Sequence, residues 1–566
     1  MSNYQNISSF IWNVADDVLR GLFKPHEYGQ IILPFTVLRR LDTILEPSKD
    51  EVIKLYKKWK SKTDKPTPII LNKIKLKFYN HSKYDLKRLT QDHQNIKKNF
   101  QNYLGGFSDN IYDIIEYFQI DKHINKLHKN DRLFLLIEKF SSTDLSPSKI
   151  SNYEMGLVFE ELLRRFSEMS NETSGEHYTP RDVVKMLVAL VFSGDKEILK
   201  KKGQVTSIFD CCCGTGGMLT LGKEWLQKNI NKNIKTFLFG QELNPETYAV
   251  CKSEMLITNE DPENIRYGDC LDNDKFNNQK FQYMITNPPY GESWKSAQKF
   301  ILNEFEQTSG RFFAGLPRVS DGQLLFLQHL ISKLDPSGGR IGIVFNSSPS
   351  YVGDAGGGES EIRKYLIEND FLETIVTLPD KLFFNTGITT FLWIITNNKK
   401  EKRKGHIQLL NCESFFKILR TKLGEKRKQI TETHINEILS LYTSYSENEY
   451  CKIYPNEFFG YTKIAVEKLN IDDQNIKKNN NKKIKPKKIE YERVPLSENI
   501  DHYFQKEILP NSKNSKLNRK KDKIGYEINF RKYFYRYKPL RKVEEIQKEL
   551  NILDKEIEDI KAKSSE

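Results

Sequence analysis

Over the first fifty residues the apolar positions repeat with a helical period. Ile11, Val14, Ala15, Val18 and Leu19 recur behind Ser8 and Ser9, which predicts a helix opened by a capping serine, and Pro47 closes a second apolar helix. The helical pattern continues to about residue 170, where a Ser/Asn/Gly-containing polar loop separates one helix from another opening at Thr179 and Pro180. From about residue 204 the period changes. The short β-branched runs VTSIFD, KTFLFGQEL, NIRYGD, FQYMITNPP, RIGIVFN, LETIVTLP and TTFLWIIT alternate with helical stretches. This alternation predicts parallel strands joined by crossover helices, an open α/β sheet with its ligands at the carboxyl ends of the strands.

Beyond about residue 405 the organisation loosens, and DDQNIKKNNNKKIKPKKIEYE reads as a basic low-complexity tether, with a dedicated DNA arm as the alternative. The tail differs: Val543, Ile546, Leu550, Leu553, Ile557 and Ile560 form a heptad seam too short to stand alone, so it is expected to pack on the chain's own body or on a partner's helix. The pattern divides the chain into a helical region (1–170), an α/β region (171–405), an extension (406–540) with a basic linker at about 472–490, and an amphipathic helix (541–566). A chain of 566 residues suits several domains.

Composition adds three constraints. No run of about 18 apolar residues is present to span a bilayer, and the N-terminus has no signal-peptide pattern, so a cytoplasmic location is expected. Seven irregularly spaced cysteines do not make a disulfide framework. The net charge of +14 is compatible with a polyanionic partner, although an Asn-, Ile- and Lys-rich chain reaches such a value through compositional bias as well.

The candidate chemistry lies in loops after strands. Cys211, Cys212 and Cys213 precede Gly214, Gly216 and Gly217 in FDCCCGTGGML. Structural zinc sites separate paired cysteines by two to four residues, whereas adjacent cysteines in an extended chain point in alternating directions, and no His or second Cys pair lies nearby. No metal is therefore expected, and the cysteines read as small side chains at a turn. A strand ending in Asp210 followed by glycines suits a nucleotide-type ligand. Glu242 ends the next strand, where a carboxylate holds ribose hydroxyls, and Asp269 follows the third, where an acceptor meets an adenine amino group. In the fourth loop stand Asn287, Pro288, Pro289 and Tyr290. The Asn287 amide oxygen and the Pro288 carbonyl suit the two hydrogens of an aromatic exocyclic amine, whose lone pair must leave conjugation before it attacks a methyl donor, and the Tyr290 ring suits stacking on the base.

On these motifs, together with GEHYTPR (175–181), DGQLLFLQHLISKL and GGRIGIVFN, the chain resembles the methylation subunits of type I restriction-modification systems. The resemblance implies a Rossmann-like methyltransferase sheet, an all-α N-terminal domain and a helical C-terminal tail. It implies S-adenosylmethionine as cofactor and N6 of a flipped adenine in double-stranded DNA as target. Glu176, His177, Tyr178, Thr179 and Pro180 would join Asp210, Gly214, Thr215, Gly216, Gly217, Glu242 and Asp269 in holding the cofactor. Cys211 stands where the family usually has proline, and Phe345 where it often has proline before an asparagine; cofactor binding is expected to survive the first change. The implied partners are a specificity subunit that reads the sequence and is the expected seat of the C-terminal seam, a second methylation subunit, and a restriction nuclease subunit. Methylation of cytosine N4, RNA or protein glutamine would use a similar motif. A non-catalytic DNA-binding scaffold would not need Asp269, Asn287 and Tyr290 intact, and an NAD-linked dehydrogenase leaves NPPY without a role.

Overall fold

The computed structural model describes residues 3–170, 179–307, 309–468, 488–512, 515–535 and 542–563. Residues 1–528 form one compact unit and 529–566 a second.

In the first unit a nine-stranded sheet carries the α/β region. Its strands are β1 (Val205–Asp210), β2 (Lys235–Glu242), β3 (Ile265–Tyr267), β4 (Tyr283–Thr286), β5 (Arg340–Phe345), β6 (Leu372–Thr377), β7 (Phe391–Thr396), β8 (His406–Asn411) and, after a hairpin of β9 (Lys417–Leu423) and β10 (Lys426–Gln429), β11 (Cys451–Pro455). The order is β11-β8-β6-β7-β5-β4-β1-β2-β3. Only β7 and β11 run against the rest. All seven runs read from the sequence are strands. Every residue of β5, β6 and β7 is buried, as continuous apolar runs require when both faces of a sheet are covered.

The chain does not leave this sheet at residue 405: β8 pairs with β6 and β11 with β8. The charged run KKEKRKGH just before β8 hides a strand whose central residues are buried. A smaller antiparallel sheet follows, with β12 (Gly460–Lys468) paired to β13 (Lys488–Pro495), β14 (Ser515–Leu517) and β15 (Lys523–Tyr526). Residues 472–487 of the basic linker lie outside the described residues, and 488–490 already belong to β13.

The N-terminal region is helical from Asn3–Leu19 to Asn152–Ser170. Ile11, Val14, Ala15, Val18 and Leu19 are buried as their spacing predicts. The first helix starts earlier than the serines: Ser8 lies inside it and is buried. The second ends at Leu45, with Pro47 in the turn that follows. The helical core continues into the α/β region through Ala249, Val250, Leu256 and Ile257 of helix Pro245–Ile257. Lys252 of that helix donates to Asp113 Oδ2 at 2.7 Å.

The second unit contains helices Phe530–Phe534 and Val543–Lys563. All six heptad positions of the long helix are exposed. No described helix is long and apolar enough to cross a membrane.

Candidate active site

β1 lies between β2 and β4, so the connections leave it toward both sides of the sheet. That reversal opens a crevice at the carboxyl ends of the strands. A cavity of about 570 Å³ occupies it, a volume within the usual range for small-molecule sites. Asp210 lines it from the end of β1, Cys211, Cys212, Cys213, Gly214 and Thr215 from the loop that follows, Gly217 from the start of the next helix, Glu242 from β2, Asp269 from the loop after β3, and Asn287 and Pro289 from the loop after β4. Thr179 lines it from the loop before helix Arg181–Ser193, which Pro180 caps. Glu176, His177 and Tyr178 lie outside the described residues.

The turn after β1 is built by glycine. Gly214 and Gly216 have φ of +53° and +83°, and a Cβ on Gly216 would stand 2.8 Å from Cys251 Sγ. Helix Gly217–Asn229 begins directly after the turn. Asp210 is 1% exposed, and its Oδ1 accepts from Thr286 Oγ1 at 2.7 Å and from Cys212 N at 3.0 Å. Burial holds its carboxyl well above the usual carboxylate range, against the pull of those two donors.

Glu242 is oriented by two backbone amides: Gly214 N donates to Oε2 and Asn244 N to Oε1, both at 2.7 Å. Asn244 itself caps helix Pro245–Ile257 by accepting from the amides of Glu246 and Thr247. Asp269 accepts from Leu271 N at 2.9 Å, and burial raises its carboxyl above the ordinary range. Two carboxylates on neighbouring strand ends, facing one cavity of this size, match the hydroxyl and amino donors of an adenosine group.

At the end of β4, Tyr290 is 8% exposed and its hydroxyl donates to Asn287 Oδ1. Burial pushes the phenol well above its ordinary value, so it remains a neutral donor at physiological pH. This bond joins the two polar side chains of NPPY.

Four cavity residues carried no signal that the sequence pattern could isolate. Leu243 follows Glu242 and is 59% exposed; Trp294 and Phe326 supply apolar walls. Glu160, from the helical region, pairs with Arg181 of GEHYTPR: the guanidinium Nε donates to its two carboxylate oxygens at 3.0 and 3.1 Å. Burial raises the Glu160 carboxyl, and Arg181 opposes that shift.

The cysteines stand at a turn, as their sequence reading has it: the chain turns after Asp210, and Cys211 Sγ lies 3.9 Å from Cys212 Sγ. Cys270, some sixty residues away in sequence, brings a third sulfur, and all three lie within 4.8 Å of one another.

Comparison with known proteins decides the family. Residues 151–492 match the family model described as N-6 DNA Methylase. The chain belongs to that family. Its reaction is methylation of adenine N6 in DNA, with S-adenosylmethionine as the methyl donor. Residues 7–140 match the HsdM N-terminal domain. The type I restriction enzyme MjaIX methylase subunit of Methanocaldococcus jannaschii is 26% identical over 451 residues, 78% of this chain and 77% of that protein. The HindI methylase subunit of Haemophilus influenzae is 29% identical over 264 residues, 46% of this chain and 54% of that protein. The chain thus spans only about half the length of the second relative. In fold, the chain is similar to the type I restriction-modification methyltransferase subunit of Streptococcus thermophilus, with a TM-score of 0.63 at 22% identity over 80% of this chain and 96% of that one.

Proposed function

We propose that this N-6 DNA methylase is the methylation subunit of a type I restriction-modification complex, acting on an adenine swung out of double-stranded DNA while a separate specificity subunit reads the sequence. One observation carries the site assignment: Glu242, Asp269 and Asn287, from three successive strand ends, line a single cavity.

In this reading Glu242, set by its two amide donors, binds the ribose hydroxyls, and Asp269 binds the adenine amino group of the cofactor. Gly214, Thr215, Gly216 and Gly217 bring backbone close to the methionine portion, with Thr179 and Pro180 beside them. Asp210 braces that turn from behind. The share of Glu176, His177 and Tyr178 rests on the sequence pattern. Bound there, S-adenosylmethionine supplies a methyl group on a positively charged sulfur.

The target base leaves the helix at a cost of a few kcal/mol. Stacking on the Tyr290 ring offsets about 1–3 kcal/mol of it. The Asn287 amide oxygen and the Pro288 carbonyl accept the two N6 hydrogens and draw the nitrogen lone pair out of conjugation with the ring. Pro289 fixes the loop between them and Tyr290. No strong general base is needed, because the nitrogen becomes acidic once alkylated. Holding the reacting groups in line in a site that excludes water accounts for several kcal/mol of the barrier.

Asn287→Ala, assayed in the assembled complex, is expected to lower methylation by about 10²-fold or more while cofactor affinity stays within about threefold. Retained methylation would refute the role. The exposed seam of helix Val543–Lys563 docks on a helical part of the specificity subunit. Deleting the chain after Pro539 should abolish co-purification of the two, and full recovery of the complex would refute that docking. A second methylation subunit and a restriction nuclease subunit complete the proposed assembly.

A further inference from the structure

We propose that Cys211, Cys212 and Cys270 form a binding site for one thiophilic divalent cation of the Zn²⁺ and Cd²⁺ class on the wall of the cofactor cavity, where the cation competes with the cofactor. The competition rests on the cofactor reading above; the cation site itself rests only on the three sulfurs.

Geometry supplies the first argument. A tetrahedral zinc–thiolate centre with Zn–S of about 2.3 Å places its sulfurs about 3.8 Å apart. Cys211 and Cys212 already stand at 3.9 Å, and Cys270 completes a trio within 4.8 Å, so no pair need close by more than about 1 Å. Among the described residues no other group of three His, Cys, Asp or Glu side chains converges in this way. Cys213 and Cys251 also approach to 3.9 Å, but they make only a pair.

The backbone that carries the sulfurs is held in place. On one side Cys212 N donates to Asp210 and Cys213 N to Gln241 O. On the other, Arg311 donates to the carbonyls of Cys270 and Leu271 at 2.7 and 2.6 Å. Ligands on pre-set loops lose little freedom on binding a cation.

Access and selectivity follow from the same placement. All three cysteines line the cavity, and Cys212 is partly exposed. Three protein thiolates leave a fourth position for water facing the open space, and soft sulfur ligands select soft or borderline cations over Mg²⁺ or Ca²⁺. On binding, three S–H bonds break, three sulfur–metal bonds form and three protons pass to solvent, with no change of oxidation state. Asp269 adjoins Cys270, Gly214 lies two residues beyond Cys212, and all four line the one cavity, so the cation's ligands neighbour residues assigned to both ends of the cofactor.

The test uses the full chain, stripped by a chelator and kept reduced by a phosphine, titrated with Cd²⁺. The expected result is an ultraviolet sulfur-to-cadmium charge-transfer band that saturates at one Cd²⁺ per chain, with S-adenosylmethionine affinity by calorimetry falling by about tenfold or more. Cys270→Ser and Cys212→Ser, each checked for an unchanged melting temperature without metal, should lose the band and the Cd²⁺ sensitivity. Cys412→Ser and Cys451→Ser should keep both. Absence of the band, its survival in both Cys270→Ser and Cys212→Ser, or its loss only in Cys251→Ser would overturn the site. A saturated band with unchanged cofactor affinity would overturn the competition. Failure of the metal-free chain to bind S-adenosylmethionine would strike the cofactor reading alone, since the band judges the cation site without it.

Discussion

At the end of β1, Asp210 accepts from the Thr286 hydroxyl and the Cys212 amide; at the end of the neighbouring β2, Glu242 accepts from the amides of Gly214 and Asn244. Both are acids closing adjacent parallel strands, and both line one cavity. Their partners separate them. Thr286 belongs to β4, so Asp210 ties two strands together beneath the glycine turn. Gly214 and Asn244, whose amides donate to Glu242, belong to loops around the cavity and orient the carboxylate there. On this difference the proposed reading gives Asp210 a bracing role and Glu242 a ligand-holding one.

The largest break in this contrast should come from Glu242→Ala. A hydrogen bond to a charged group is worth about 1.5–3 kcal/mol, so losing two predicts a fall in S-adenosylmethionine affinity of about 10²-fold or more, read by calorimetry. Affinity within about threefold of the parent would remove Glu242 from the ribose site. Asp210→Ala should act on stability instead. Leaving the Thr286 hydroxyl and the Cys212 amide unmet costs about 1–3 kcal/mol, seen as a lower melting temperature, with a smaller effect on cofactor affinity than Glu242→Ala. Asp210→Asn keeps an acceptor and should recover part of the loss. An Asp210→Ala chain of unchanged stability that no longer binds cofactor would reverse the two roles.

A smaller effect concerns pH. His329 is fully buried and accepts at Nδ1 from Arg311 Nη1, and burial lowers its pKa from 6.5 to about 4. Because the folded state resists its protonation, the stability tied to neutral His329 is present above about 6.5 and lost as pH falls toward about 4. Denaturant titrations at pH 7 and pH 4.5 should show His329→Gln losing less stability over that interval, by on the order of 1–2 kcal/mol. Asp210, whose carboxyl is held high, has the opposite sign: its contribution is present at low pH and declines as pH rises through its folded value. Equal acid sensitivity of the parent and His329→Gln would exclude His329 as a source of it.

The sheet was legible because short β-branched and apolar runs mark β1 to β7, most continuously in β5 to β7, where every residue is buried. What the runs do not carry is order: nothing in LETIVTLP or TTFLWIIT indicates that β7 inserts between β5 and β6. β8 was obscured by the charged residues before it, and the start of the first helix by the mostly polar stretch NYQNISS ahead of its apolar stripe. At the site, the acids and NPPY were legible as residue types at fixed points after strands. Their donors were not, since Thr286, Gly214 and Leu271 are chosen by tertiary geometry. The meeting of Cys270 with Cys211 and Cys212 was hidden for the same reason: it joins loops after β1 and β3, which no local spacing connects.

The central claim is tested most directly by the identity of the methylated base. The chain, assembled with its specificity subunit and given duplex DNA and S-adenosylmethionine, should yield N6-methyladenine as the new nucleoside on digestion and mass spectrometry, and Asn287→Ala should yield it at a rate lower by about 10²-fold or more. N4-methylcytosine in its place, or N6-methyladenine undiminished in Asn287→Ala, would contradict the account.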